Sequence, residues 1–106
     1  MVLRVVAGDE TGVVHLIGEL DISTVPQASA AILEACDRSS RVVVDLSQLT
    51  FMDSSGVRVL LQGWAKQRER GGDLVLRSPT AAVRRLFDLL GLDANGVTVE
   101  PGPEGS

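Results

Sequence analysis

The chain has 106 residues, of which 44% are hydrophobic and 23% are charged, and its formal net charge is -4. This length and balance predict one compact domain and exclude a disordered chain or a two-domain protein. Because the basic residues form no stripe and the only aromatic residues are Phe51, Trp64 and Phe87, nucleic-acid binding is not expected.

Two short runs rich in valine, leucine and isoleucine, residues 2–7 and 13–17, open the chain. Their connection, residues 8–12, has a glycine at each end and polar residues between them, which predicts an antiparallel hairpin. His15 falls in the second strand. It is a candidate general base, but no recognisable nucleophile motif accompanies it, which favours an ordinary strand position.

A helix is expected after residues 18–24. Ser23 or Thr24 is the predicted N-cap, and Pro26 is tolerated in the first turn, where its missing N–H would be unpaired in any case. The predicted apolar face is formed by Ala28, Ala31, Ile32, Ala35 and Cys36. Cys36 is the one cysteine, so neither a disulfide framework nor a thiolate metal cluster is expected. With no apolar stretch of membrane-spanning length, the sequence predicts a cytoplasmic protein.

A continuous run rich in β-branched residues at 41–46 predicts the central strand. Such a run without alternation is typical of a strand buried on both faces, in a sheet that helices cover on each side. Asp45 would lie at the end of this strand, and Asp53 would follow the next turn. Together with Asp21 they are expected near one rim of the sheet, where open α/β sheets place their sites.

Residues 50–56, with the sequence TFMDSSG, lie where a strand-like run stops and a helix-like run begins. The succession of Asp, Ser, Ser and Gly favours a helix N-terminus, because side-chain oxygens there accept from unpaired backbone N–H groups. One interpretation is an ordinary helix cap. The other is a pair of hydroxyls at the positive end of a helix, able to carry or accept a phosphate. The two interpretations are compatible.

The helix that follows is predicted to have two distinct sides. Its core face is expected at Val57, Leu60, Leu61, Trp64 and Arg68. Its opposite side is expected to carry Ser55, Val59, Gln62 and Lys66. On this projection Ser55 points outward and Ser54 points toward the flank. Val59 is the one apolar residue on the outer side, where it would suit a shallow docking surface for another protein, and Trp64 is expected to pack in or beside the core.

The last third of the chain predicts a strand, a helix and a short strand. Residues 73–77 form the first of these after a glycine pair, and a turn at 78–80 leads into the helix. The apolar face of that helix is expected at Val83, Leu86, Phe87 and Leu90. Gly91 suits its C-terminal cap, and residues 97–99 predict the final strand.

This order of elements predicts an α/β fold. After the hairpin, strands alternate with helices, which requires crossover connections. We therefore expect a mixed, mostly parallel sheet of about five strands, with the hairpin at its N-terminal side and about three helices packed on it. Residues 1–99 are expected to form the single domain, and residues 100–106 a flexible tail.

Four segments, in order along nearly the whole chain, resemble the bacterial anti-sigma factor antagonists, the stand-alone proteins of the STAS domain class. They are GELD at 18–21, VDLS at 44–47, FMDSSG at 51–56 and RLFD at 85–88, the last followed by GL at 91–92. None of the segments is decisive alone, but their order and separations together are characteristic. The resemblance implies a STAS-like fold.

The resemblance also implies a regulatory switch by partner exchange, and not an enzyme. In this family the unmodified protein binds an anti-sigma factor that is also a serine kinase and so releases a sigma factor, in processes such as stress response and sporulation. The kinase phosphorylates the antagonist, which then dissociates, and a metal-dependent serine phosphatase restores it. The expected partners are therefore this kinase and this phosphatase. No nucleic acid, membrane, cofactor or metal is expected, and the free protein is expected to be a monomer.

Carried over by position, the phosphorylated serine is Ser54, the first after the aspartate, with Ser55 as the alternative. The predicted partner-binding residues are Asp21, Thr24, Met52, Asp53, Ser55, Gly56, Val57 and Val59. Two departures from the family pattern stand out. Arg58 lies where many relatives carry a small residue, which would change partner choice, and the short tail is not expected to form the further C-terminal helix of some members.

Other classes of function have less support. A serine hydrolase using Ser54 or Ser55 lacks a nucleophile-elbow motif, and His15 is the only imidazole. A nucleotide-binding domain lacks a glycine-rich loop with phosphate-loop spacing. Two alternatives stay open within the same fold: a scaffold subunit of a stress-signalling complex, and a small STAS partner of a lipid-transport ATPase. The aspartate and two serines of the FMDSSG segment favour the phosphorylation switch.

Overall fold

Strands and helices alternate in the predicted order in a computed structural model, which describes residues 3–8, 12–92 and 96–101. The strands are β1 (Leu3–Ala7), β2 (Val13–Leu20), β3 (Arg41–Met52), β4 (Asp73–Arg77) and β5 (Thr98–Glu100). The helices are α1 (Val25–Arg38), α2 (Ser54–Glu69) and α3 (Ala81–Leu90). The middle of the hairpin connection and most of the predicted tail lie outside the described residues.

The five strands form one sheet in the order β1-β2-β3-β4-β5. β1 pairs antiparallel with β2, whereas β3, β4 and β5 are each parallel to the strand before them. The parallel neighbours follow from the helical connections, since each helix carries the chain back to the edge at which the previous strand began. The predicted mixed, mostly parallel α/β fold with an N-terminal hairpin is confirmed.

The described helices share one face of this sheet, and the prediction that helices cover both faces was wrong. All three contribute to a single apolar cluster, which takes alternate residues of the strands, such as Val42 and Val44 of β3 and Leu74 of β4. Val43 and Val75 point to the other face and are buried, yet they lie outside that cluster. They are paired across the middle of the sheet. Their position in the middle of the sheet is therefore sufficient to bury them, although no described helix covers that face.

β3 continues to Met52, well beyond its predicted end at residue 46. Its first half pairs with β4 only as far as Asp45, whereas its pairing with β2 runs on to the last residue, with two irregularities of register. Asp45 therefore lies in mid-strand, about 26 Å of extended chain before Asp53. The prediction that Asp45 lies near the same rim as Asp53 and Asp21 was wrong, because exposed polar residues hid the second half of the strand.

The predicted core face of α2 was rotated from the real one. The residues that α2 buries are Gly56, Val57, Val59, Leu60, Gly63 and Gln67. Arg68, predicted on the core face, is exposed, and its guanidinium carbon lies 5.6 Å from the centroid of the Trp64 ring. Val59, predicted on the outer side, is only 4% exposed. Trp64 packs partly buried against the core, as predicted.

Close approach of the backbone explains this rotation. A Cβ at Gly63 would lie 2.6 Å from Cγ2 of Ile32 in α1, and one at Gly56 would lie 2.8 Å from Cγ of Leu20. The glycines are therefore contact points against α1 and the sheet, whereas the projection assigned the core face from large apolar residues. Gln67 is buried because its amide nitrogen donates to the carbonyl oxygens of residues 39 and 40, at 2.9 and 3.1 Å.

The predicted ends of α1 and α3 are confirmed. Thr24 occupies the N-cap position of α1 with Pro26 in the first turn. Gly91 ends α3 with φ of 66°, in the left-handed region that glycine tolerates. Leu90, predicted on the apolar face of α3, is instead 46% exposed, and Leu92 beyond the glycine is buried in its place. The N–H of Leu92 donates to the carbonyl oxygen of residue 87, which turns the chain back under the helix end.

Candidate functional site

Asp21 and Asp53 follow the ends of two adjacent parallel strands. The last residues of these strands, Leu20 in β2 and Met52 in β3, are register partners. The N–H of Asp53 donates to the carbonyl oxygen of Leu20 at 3.3 Å, so the two strands stay joined up to the rim. The predicted closeness of Asp21 and Asp53 therefore holds, although Asp45 does not join them.

Asp53 caps α2 with a single carboxylate oxygen. Its Oδ1 accepts from the N–H of Ser55 at 3.0 Å, from the N–H of Gly56 at 3.2 Å and from the Ser55 hydroxyl at 2.5 Å. Its carbonyl oxygen accepts from the N–H of Val57 at 3.2 Å. The cap interpretation is confirmed. Because these amides are already bonded to Asp53, they can bind an incoming anion only if the Asp53 carboxylate moves away from them.

The two serines of the turn differ in what their hydroxyls do. Ser54 is the first residue of α2 and its side chain is exposed, and no hydrogen bond of that side chain occurs within the described residues. Ser55 is half-buried and its hydroxyl donates to Asp53. The helical projection, which turned Ser55 outward and Ser54 to the flank, was wrong, because the cap residue draws the second serine inward.

A similar turn closes β2. Oδ1 of Asp21 accepts from the N–H of Ser23 at 3.0 Å and from the Ser23 hydroxyl at 2.6 Å. The hydrogen bond from that hydroxyl holds the pKa of Asp21 below its ordinary value. Thr24 is buried, and its hydroxyl accepts from the N–H of Asp21 and donates to the carbonyl oxygen of Glu19, both at 3.0 Å. The Thr24 hydroxyl thus stabilises the turn at the end of β2, and it does not cap α1.

Most of the predicted partner-binding side chains are not at the surface. The buried ones are Thr24, Met52, Gly56, Val57 and Val59. The half-buried ones are Asp21, Asp53 and Ser55. The expectation that Val59 forms an exposed docking surface was wrong, because the rotation of α2 places its side chain in the core.

Two exposed apolar residues at this rim were missed in the sequence. Ile22, between Asp21 and Ser23, is 78% exposed, and Phe51, beside the buried Met52, is 40% exposed. A signal for each was present: an isoleucine inside a polar turn has no core to enter, and neighbouring strand residues point to opposite faces. We call Ile22, Phe51 and Ser54 the rim surface. Arg58 is also exposed, and it takes part in none of the ion pairs found in the described part of the chain.

Asp45 belongs to a separate polar cluster on the helix-free face of the sheet. Its Oδ1 accepts from the N–H and the hydroxyl of Ser47, at 3.0 and 2.6 Å, and its Oδ2 accepts from Nε of Arg77 at 3.1 Å. Burial by itself raises the pKa of Asp45, but the hydrogen bonds from Ser47 and the Arg77 guanidinium hold it below its ordinary value. Asp45 therefore joins β3 to β4.

His15 pairs with this cluster and not with the serines of the rim. Its Nδ1 lies 3.8 Å from Oδ1 of Asp45, its register partner in β3. Since Asp45 is about 26 Å of extended chain from Asp53, His15 is out of reach of Ser54 as a general base. The ordinary strand position is the better interpretation.

Two further searches covered the described residues alone. No group of three or more His, Cys, Asp or Glu side chains there is placed to hold a metal ion. No described helix has the length and apolar character needed to cross a membrane.

Known proteins match this chain over nearly its whole length. A family model described as "Mlab, STAS domain" matches residues 3–100. The anti-sigma F factor antagonist of Paenibacillus polymyxa is 35% identical over 82 residues, which cover 76% of this chain and 70% of that protein.

Solved structures agree with the sequence matches. An anti-sigma factor antagonist from Mycobacterium paratuberculosis is 28% identical, with a TM-score of 0.84 over 97% of this chain and 89% of that one. SpoIIAA, an anti-sigma factor antagonist, is similar in its unphosphorylated form, at 26% identity and a TM-score of 0.74 over 97% of this chain and 90% of that one. Its phosphorylated form, from Bacillus, is 25% identical with a TM-score of 0.69, over 97% and 94%.

Proposed function

The chain belongs to the STAS domain family, and on that basis we propose that it is an anti-sigma factor antagonist switched by phosphorylation of Ser54. In this proposal the unmodified chain binds an anti-sigma factor that is also a serine kinase, and a sigma factor is thereby released. The phosphorylated chain dissociates from the kinase, and a metal-dependent serine phosphatase restores it. The protein acts as a regulator of transcription and not as an enzyme.

The free hydroxyl of Ser54 carries this proposal. It is exposed at the first position of α2, whereas the hydroxyl beside it is bonded to Asp53. A phosphoacceptor needs an oxygen that the donor can approach in line. The existence of SpoIIAA in both an unphosphorylated and a phosphorylated form, each similar in structure to this chain, supports the same modification here.

The transfer itself needs ATP, which the kinase partner supplies. The oxygen of Ser54 forms a bond to the γ-phosphorus as the bond from that phosphorus to the β,γ-bridging oxygen breaks, and ADP leaves. The hydroxyl proton passes to a base of the kinase. The antagonist contributes only the positioned hydroxyl, since the Asp53 carboxylate beside it is bonded to Ser55 and Gly56 and not to the Ser54 hydroxyl.

A phosphate at this position would weaken the partner complex by charge. It brings between about -1.5 and -2 charges, next to Asp53, whose carboxylate already occupies the first amides of α2. The helix end therefore leaves the new charge largely unneutralised. A unit like charge on the partner about 5 Å away, at an effective dielectric near 20, would oppose binding by about 3 kcal/mol for each unit of the phosphate's charge. That corresponds to more than a hundredfold loss of affinity.

The rim surface supplies the contact that this charge would disrupt. Ile22 and Phe51 are exposed apolar side chains at the edge that also presents Ser54. Apolar anchors of this kind contribute most when a partner covers them fully. We place the anti-sigma factor kinase over this surface, so that docking brings Ser54 to the kinase and the product weakens the same contact.

The deciding experiment is phosphorylation of the purified chain with ATP and the serine kinases of histidine-kinase fold encoded in the same genome, followed by mass mapping. One kinase is expected to place a single phosphate on Ser54, and a Ser54→Ala variant is expected to stay unmodified. A wild-type chain that takes no phosphate from any of them refutes the switch. Stable copurification with a membrane ATPase complex would then favour the transporter-associated role.

A further inference from the structure

We propose that Asp53 determines which of the two adjacent serines is phosphorylated, by holding the hydroxyl of Ser55. The inference rests on the proposed function, since it concerns the selectivity of the same modification. In this view Asp53 is a positioning residue: it contacts neither ATP nor the reacting oxygen, and it acts by withdrawing the competing hydroxyl.

The geometry at Asp53 separates the two hydroxyls. Oδ1 of Asp53 receives the Ser55 hydroxyl at 2.5 Å and the N–H of the same residue at 3.0 Å. The side chain of Ser55 is therefore held in one orientation, turned toward the cap and half-buried. Ser54 directly follows the aspartate, and its side chain stays exposed outside this arrangement.

The same arrangement occurs at two other aspartates of the described chain. Each lies at or just after the last residue of a strand pairing, and a serine follows two residues later. Asp21 receives the N–H and the hydroxyl of Ser23, and Asp45 receives those of Ser47. Ser23 and Ser47 are exposed, yet their hydroxyls are still bonded. Exposure alone therefore does not free a hydroxyl. In these turns the hydroxyl of the second residue after the aspartate donates to the carboxylate, whereas Ser54, the first residue after Asp53, makes no such bond.

For its oxygen to be approached in line, the half-buried Ser55 side chain would have to turn out of the cap, which breaks this hydrogen bond. A hydrogen bond to a charged group is among the stronger ones in a protein, so its loss is expected to disfavour the reaction at Ser55 by about tenfold to a hundredfold relative to Ser54. Selectivity of this size needs no contact between the kinase and Ser55. It arises within the antagonist before the kinase docks.

The test measures the ratio of phosphate on Ser54 to phosphate on Ser55 after reaction with ATP and the kinase that modifies the wild type. It compares four chains: the wild type, Asp53→Ala, Asp53→Asn and Asp21→Ala. The wild-type ratio is expected to exceed about ten. Asp53→Ala is expected to lower it at least tenfold, and Asp53→Asn, which keeps an acceptor oxygen, is expected to fall between the two. Asp21→Ala breaks the corresponding turn at Ser23 and is expected to leave the ratio unchanged, whatever the total rate.

A second set of variants, in which Ser54 is replaced, tests directly whether Asp53 holds back the reaction at Ser55. Ser54→Ala is expected to take almost no phosphate, and Ser54→Ala with Asp53→Ala is expected to regain it at Ser55, with circular dichroism confirming that α2 is retained in each variant. An Asp53→Ala chain that is modified only at Ser54 overturns the selectivity role and leaves the proposed function standing. A wild-type chain modified mainly at Ser55, or at neither serine, overturns both.

Discussion

Asp45 and Asp53 make the same local turn in two different regions of the molecule. Each carboxylate receives the N–H and the hydroxyl of the serine two residues later. Asp45, in mid-strand, is 9% exposed and also receives the Arg77 guanidinium, so its turn joins two strands. Asp53, at the rim, has no cation among the hydrogen bonds and ion pairs of the described residues, and its turn opens a helix. Position in the sheet therefore separates a structural turn from a candidate regulatory one.

A charge at Ser54 is expected to have the largest effect. Ser54→Glu should weaken binding to the anti-sigma factor kinase by about a hundredfold, since a like charge about 5 Å away opposes binding by about 3 kcal/mol. Calorimetry or surface plasmon resonance measures this. Gln48→Glu adds the same charge at an exposed position of β3 away from the rim and should bind normally. Equal loss in both variants would show a nonspecific charge effect.

The Asp45 cluster should affect stability instead of binding. Asp45→Ala leaves Arg77 and Ser47 without their acceptor, so we expect the free energy of unfolding to fall by about 2 kcal/mol, as measured by urea denaturation. Kinase affinity at a temperature where the variant is folded should be unchanged. A large loss of affinity in folded Asp45→Ala would contradict the division of roles between the two turns.

An exposed apolar residue of the rim surface should matter for binding alone. Ile22→Ser is expected to weaken the kinase complex by about tenfold, because an isoleucine covered by a partner contributes about 1.5 kcal/mol or more, and to leave the unfolding free energy unchanged. Leu89→Ser is the matched control, since Leu89 and Ile22 are both 78% exposed and Leu89 lies near the end of α3. Equal weakening by both substitutions would refute a docking role for the rim surface.

The pH dependence of stability should show the smallest effect. Burial raises the pKa of Asp45, but the hydrogen bonds from Ser47 and Arg77 hold it below its ordinary value in the folded chain. The stabilisation from Asp45 is therefore present above the ordinary pKa and is lost as pH falls through the folded value. Unfolding free energies measured from pH 6 down to about pH 2 should decline less steeply in Asp45→Ala than in the wild type. Parallel curves would show that Asp45 is not responsible.

Much of the fold could be predicted because its signals are local. Runs of β-branched residues predicted the strands, and Pro26 and Gly91 predicted a helix start and a helix end, since their backbone preferences hold in any context. The second half of β3 was missed because Ser47 and Gln48, which are not among the residues enriched in strands, interrupt the β-branched run. They are extended because β2 pairs with that part of the strand.

The candidate site was predicted in position but not in detail. Asp53 and Ser54 were recognised at a helix start, because an aspartate followed by serines and a glycine favours a cap. Ile22 and Phe51 were missed and Val59 was misplaced. The burial of Val59 depends on how α2 is turned against α1 and the sheet, and Gly56 and Gly63 set that rotation through contacts with residues far away in the sequence. Ile22 and Phe51 lie outside α2, at the ends of β2 and β3, and their exposure depends on where these strands meet the rim.

The sequence by itself determined the order of the elements, the mixed sheet and the presence of an aspartate with two serines at the start of α2. These follow from local backbone preference and hydrophobic pattern, which each segment carries with it. Only the tertiary structure decided that all the described helices share one face, that Asp45 lies far from the rim, and that Ser54 is exposed while Ser55 is held. Those outcomes depend on strand pairing, helix rotation and a hydrogen bond geometry that no single segment specifies.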